Sequence, residues 1–312
     1  MSGSLGRSTS AISALPPLPL EEWEDTKDTL HRYAQIVGKT RLELSPPRNH
    51  WWQVPLYVTS RGLTTSPIPY RNAAFEIAFD LLAHELQATT SAGGTFSFAV
   101  EDGLSVAEFY NKLFSGLAAL GIEAAINTKP FALDDEGTFE SDTMHASYDK
   151  EYATRFWRIL VWVDSVFKEF SGRFAGKTSP VHLFWHSFDL AVTRFSGRRA
   201  PQREEADRVT HEAYSHEVIS FGFWAGDQNV REPAFYSYTA PEPEGLTKQP
   251  LHPEQAFWVT ESGGSTALLM YDELRKAYSP KSALLQFLEG AYQAGARTAQ
   301  WDTDAFHADL AD

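Results

Sequence analysis

Imidazoles, carboxylates and guanidinium groups crowd three short stretches of this 312-residue chain. Residues 176–199, GKTSPVHLFWHSFDLAVTRFSGRR, carry His182, His186 and Asp189 with Lys177, Arg194, Arg198 and Arg199, and include Pro180 and Gly197 as breakers near the two ends. Residues 211–217, HEAYSHE, add His211 and His216 beside Glu212 and Glu217. The corner SPPRNHWW adds His50 next to Trp51 and Trp52. Two histidines and one carboxylate make the donor set of a mononuclear iron, manganese or zinc centre. On that chemistry His182, His216 and Glu217 are the candidate metal ligands, with His50 and Asp189 as candidate catalytic groups. Guanidinium forks suit carboxylates and phosphates, so Arg194 and Arg198 are candidate contacts for an anionic substrate. Trp51, Trp185 and Trp224 would line the pocket and exclude water. Each feature also has a plainer reading: hydrogen-bonded core imidazoles, surface ion pairs among many acids, and rings that are ordinary core.

Spacing narrows these options. Residues 181–195 are rich in Val, Phe, Trp and Thr, which favour a pleated, half-buried surface, so a long central strand is expected. Four residues of strand would separate His182 from His186 by roughly 13 Å, too far for one ion. On a helix His211 and His216 differ by about 140°, which puts them on different faces. Gly172 to Thr178 imitates a phosphate loop but has three residues between its glycines where four are needed. Nor is there a G-x-S-x-G elbow, an H-E-x-x-H helix or a G-x-G-x-x-G turn, so no nucleotide cofactor is expected.

The elements that must position these groups follow from pattern. Residues 1–20 are rich in Ser, Gly and Pro and read as a loose tail. A helix from Glu21 stops near Gly38, and short strands follow at 41–44, 54–59, 75–90, 95–100 and 122–126. Between 95–100 and 122–126, Ser105 and Glu108 form a capping box for a helix that ends at Gly121. After an acidic loop over 134–142, a long helix over 146–170 carries Tyr152, Phe156, Ile159, Val163, Val166 and Phe170 on one stripe. The charged stretch 203–214 reads as helix, and strands at 218–224, 234–238, 257–260 and 267–271 precede a helix opened by Pro280. Strands and helices alternate too irregularly for a doubly wound sheet. The expected class is α+β, with largely antiparallel sheets and helices covering one face. Residues 21–312 form one domain, with two similar halves (about 41–126 and 218–300) joined by the 146–170 helix and the 180–195 strand. The likeness of the stretches from Thr90 and Thr260 is either an internal duplication or a common strand–turn–strand–helix unit.

Composition bounds the partners. Lys and Arg number 27 against 41 Asp and Glu, a formal charge of −14 that repels nucleic acid and anionic membranes. There is no cysteine, hence no disulfide, thiolate nucleophile or cysteine-ligated metal. No apolar run approaches the roughly 18 residues of a membrane span, and residues 1–20 contain no signal-peptide core, so a cytoplasmic protein is expected.

The segments QIVGKTRLELSPPRNHWWQVPLYVTSRGL, GKTSPVHLFWHSFDLAVTRFSGRRAP and EAYSHEVISFGFWAG resemble a family of bacterial and fungal proteins classified only as a domain of unknown function. The resemblance runs from about Leu18 to Trp301, and His50, His182, Asp189, Arg194, Arg198, His216 and Glu217 fall on its motif positions. The family pattern has glycine where this chain has His186, which argues against His186 as a ligand. The resemblance implies where the site lies and carries no activity. The expected function is a metal-dependent enzyme acting on a small anionic molecule. The rivals are a non-catalytic binding protein for a carboxylate or phosphate ligand, and a structural protein with core histidines.

Overall fold

The computed structural model describes residues 15–133, 137–201, 208–261 and 263–308. Two six-stranded antiparallel sheets organise the described residues. The first comprises β1 (Tyr57–Val58), β2 (Gly62–Thr64), β3 (Ile68–Tyr70), β4 (Ala73–Asp80), β5 (Glu85–Thr90) and β6 (Thr95–Ala99). Its order is β1-β2-β4-β5-β6, with β3 also on β4. The second comprises β7 (His182–Phe184), β8 (Asp189–Arg199), β9 (His216–Trp224), β10 (Ala234–Ala240), β11 (Phe257–Glu261) and β12 (Gly264–Met270). Its order is β11-β12-β10-β9-β8-β7. A pair of backbone hydrogen bonds between Leu56 and Leu183, each 2.8 Å, ties the two sheets together. Among the described residues six helices complete the fold: α1 (Glu24–Leu44), α2 (Val106–Ala119), α3 (Lys150–Gly172), α4 (Arg208–Ala213), α5 (Tyr271–Arg275) and α6 (Pro280–Thr298). The class is α+β, as the sequence pattern implies.

Local signals account for the helices. The Ser105–Glu108 capping box opens α2 in both directions. Asp149 caps α3 by accepting from the N–H groups of Glu151 and Tyr152, at 2.8 and 3.0 Å. The whole predicted stripe of α3, from Tyr152 to Phe170, is buried. Phe170 meets Phe221 of β9 with centroids 4.7 Å apart, and a Cβ on Gly295 of α6 would lie 2.3 Å from Thr239 Oγ1 of β10. Helices α3 and α6 therefore cover one face of the second sheet. The other face is left to form a cavity.

Several expectations change. The 180–195 strand is a hairpin, because Trp185–Phe188 reverse the chain between β7 and β8, with Phe188 at φ +55°. No glycine or proline marks that reversal, so a pleated-surface composition reads the same through both arms. Helix α1 continues past Gly38 to Leu44, replacing the strand expected at 41–44. Gly38 is there for close approach, since a Cβ would lie 2.0 Å from Trp185 Cδ1. Residues 75–90 divide into β4 and β5, and 122–126 form no strand. Downstream, Lys39 of α1 donates to the Asn127 carbonyl at 2.9 Å, while Gln35 exchanges two hydrogen bonds with the Phe131 backbone. Leu18 and Leu20, expected in the tail, are 2% and 0% exposed and belong to the core. The remainder of that tail (1–14), part of the acidic loop (134–136) and part of the 203–214 helix (202–207) lie outside the described residues. The two look-alike stretches both make a hairpin followed by a helix, yet β5 leads outward to the edge strand β6 whereas β11 leads inward from the edge to β12.

Candidate functional site

Alternation along the second sheet decides which side chains share the cavity. On β8, Asp189, Ala191, Thr193 and Phe195 face it; opposite them on β9 stand Trp224, Gly222, Ser220 and Val218. Tyr236 and Tyr238 of β10 extend the same face, and His182 and Phe184 of β7 close its other side. The corner at 50–54 supplies His50, Trp51 and Trp52, α4 supplies a further wall, and Phe131 stands at the rim. The cavity volume is about 740 Å³, within the range of small-molecule sites.

A chain of hydrogen bonds crosses the floor. The Tyr236 hydroxyl donates to Asp189 Oδ2 at 2.5 Å, and the Ser187 hydroxyl donates to Asp189 Oδ1. Ser187 Oγ is in turn 2.7 Å from His186 Nδ1. The phenol reaches the carboxylate only because β9 carries glycine between them: a Cβ at Gly222 would lie 2.3 Å from Tyr236 Cε1 and Cζ. Burial, and then the charge of Asp189, push the Tyr236 hydroxyl well above the usual phenol range. Burial pushes the His186 imidazole down against the opposing pull of Asp189.

Two further imidazoles touch the cavity at separate places. His182 is 1% exposed, its ring lies 4.6 Å from Phe184, and its Nδ1 has no hydrogen-bond partner. Burial, reinforced by Arg41, pushes its pKa down to about 3, so the ring is neutral. His50 sits in the left-handed region at φ +56° and accepts from Lys177 Nζ at 2.8 Å. Its ring packs against Phe195 at 4.7 Å and His216 at 5.7 Å. Burial, then Lys177, lowers its pKa. Lys177 spreads its charge over the rings of Trp52 and Phe195, at 5.2 and 4.9 Å.

Residues 15–308, which hold both sheets and every residue of this cavity, match a family of unknown function (DUF5996). The chain belongs to that family. No curated protein and no solved structure matches it.

In this DUF5996 chain the metal set proposed from the sequence is not brought together. His182 pairs with Ala191 and His216 with Arg199, so their partners stand eight positions apart on β8, roughly 25 Å. Glu217, next to His216, turns away from it: its carboxylate accepts from Arg198 at 2.7 Å, Ser196 at 2.9 Å and Trp301 Nε1 at 3.0 Å. Among the described residues no group of three or more His, Asp or Glu side chains has metal-binding geometry. The two arginines also leave the site. Arg194 points to the helix face, where it is 1% exposed, donates to the Phe170 carbonyl at 2.6 Å and lies 3.5 Å from the Phe170 ring centroid. Arg198 joins Glu217 to the Ala299 carbonyl at the end of α6. By contrast His50, Trp51, Trp185, Asp189 and Trp224 all line the cavity, although Trp185 is anchored by donating to the Val54 carbonyl at 2.9 Å. The residues that pattern alone misses are Ser187, hidden in a turn, and the hydrogen-bonding role of Tyr236, which reads from the sequence only as a ring. Glycine in the middle of a strand is the one signal that marks Gly222.

Proposed function

We propose that the chain binds a small organic molecule in the aromatic cavity and moves a proton to or from it through the Asp189–Tyr236 pair. The observation that carries the reading is a carboxylate and a phenol 2.5 Å apart on the floor of a ring-lined cavity. Asp189 can accept a proton from the ligand while the Tyr236 hydroxyl donates to the charge that develops, and the acid so formed can return the proton at another atom. Trp51, Trp224 and Phe184 give the cavity an apolar lining, which raises the weight of each electrostatic contact. Two buried donor or acceptor atoms in the same cavity, His182 Nδ1 and Trp224 Nε1, have no protein partner and suit a polar ligand. Metal dependence would require ligands other than the set His182, His216 and Glu217. The formal charge of −14 sets nucleic acid and anionic membranes apart from the expected partners. Among the described residues no helix is long and apolar enough to cross a membrane, and the lack of cysteine suits the cytoplasm.

One observation favours a purely binding role: both oxygens of Asp189 already accept a hydrogen bond. The two readings separate in one experiment. Compounds that raise the melting temperature are incubated with the protein in D2O and followed by NMR. Proton transfer predicts deuterium incorporation or product formation that is lost in Asp189→Asn and reduced about 10²-fold or more in Tyr236→Phe. Stabilisation without exchange or turnover would leave binding alone.

A further inference from the structure

The charge of the cavity is the reverse of what the sequence suggests. Among the described lining residues there is no lysine or arginine, while Asp189 and Asp227 are both present. Asp227 is engaged in its own turn, accepting from the N–H groups of Asn229 and Val230 at 2.8 and 2.9 Å. That leaves Asp189 as the carboxylate on the cavity floor. Its bonds come from two neutral hydroxyls, and among the described residues no cation pairs with it. Two described cations, Arg41 and Lys177, lie outside the lining. Arg41 is directed to the Pro55 carbonyl and lies 5.1 Å over the Tyr57 ring; Lys177 lies over Trp52 and Phe195, six residues of β8 away from Asp189.

Aromatic residues flank the carboxylate. Phe184 on β7 and Trp224 on β9 are its cross-strand neighbours, and Tyr236 packs 5.7 Å from Trp224. A carboxylate flanked by aromatic rings suits a cation, because a ring carries a negative face and the acid supplies the counter-charge. The buried His182 ring, neutral and with Nδ1 unpartnered, adds a further polar contact on the same sheet face.

We infer that the cavity takes an organic cation, an ammonium group carried on an apolar or aromatic body, with Asp189 as counter-ion and Phe184, Trp224 and Tyr236 as its cage. This rests on the small-molecule reading above and replaces the anionic ligand expected from Arg194 and Arg198. Isothermal titration of the full chain with three probes of similar size, benzylamine, benzyl alcohol and benzoate, tests it. The expected order is amine first, at least tenfold tighter than the alcohol, with benzoate weakest. Asp189→Asn removes the preference for the amine and keeps binding of the alcohol. Trp224→Leu weakens the amine more than the alcohol, a second check should Asp189→Asn not fold. Equal binding of amine and alcohol, or tighter binding of benzoate, overturns the cation assignment while the cavity remains a small-molecule site. Failure of all three probes to bind overturns both readings.

Discussion

Asp189 and Tyr236 meet because of an atom that is missing from a third residue. Gly222 has no Cβ, and the Tyr236 ring occupies the space where one would stand. Gly222→Ala is therefore expected to cost about 1–3 kcal/mol in urea unfolding, from overpacking, and to break the Tyr236–Asp189 bond. Tyr236→Val on that background relieves the clash, so the double variant loses less than the sum of the singles. Strict additivity would show that the ring and the glycine do not compete for space. At the same scale, His31 and His182 set the acid limit of the fold. Burial pushes each pKa down to about 3 from an ordinary 6.5. The unfolded chain thus binds these protons first as pH falls. Their contribution is complete above about pH 6.5 and is lost toward pH 3, at about 1.4 kcal/mol per pH unit for each ring. Burial lowers His50, His84, His186 and His216 as well, which steepens the slope in the same direction. His182→Gln should flatten the dependence of unfolding free energy on pH between 6 and 4; an unchanged slope would mean the ring is reached by protons in the folded protein.

Elements decide which of the conspicuous residues belong to the site. A strand presents alternate residues to opposite faces, so Arg194 and Asp189, five apart on β8, cannot share one. Arg194 is held among Phe170, Phe174 and Tyr292 beneath α3 and α6 and pairs with Glu289 at 3.4 Å. Arg194→Ala should cost about 3 kcal/mol or more in denaturant unfolding, through lost packing and the stranded carbonyl of Phe170. Arg198, about half exposed, fastens β9 to the end of α6 through Glu217 and the Ala299 carbonyl. Its removal should cost about 1 kcal/mol and leave binding of benzylamine unchanged. A loss of ligand affinity in Arg198→Ala at constant stability would return that residue to the site. The helices α2, α3 and α6 were legible because their caps and stripes are local. The β7–β8 hairpin was not, because its turn, Trp185–His186–Ser187–Phe188, contains no glycine, proline, asparagine or aspartate, and a lone serine is a weak turn signal.

For the molecule as a whole, the formal charge of −14 and the cavity carboxylate act in the same sense. The protein's field draws small cations toward it and holds off phosphates. Binding of benzylamine should then weaken several-fold between about 20 and 500 mM salt, as the Debye length shrinks from roughly 20 to 4 Å, while binding of benzyl alcohol stays level. A salt-independent amine would place recognition in the rings alone.

Helix caps and hydrophobic period determined the α+β class, and the motif segments around His50, His182 and His216 carried the family, since each is a property of neighbours in sequence. They could not decide the membership of the site. His182, His216 and Glu217 looked like one ligand set because their chemistry is complementary, yet strand register set the two histidines eight residues of β8 apart and alternation turned the acid to the other face. Register and facing are long-range properties. They emerge only when β7, β8, β9 and β10 pair, and that pairing alone put Tyr236 on Asp189 and took the arginines away.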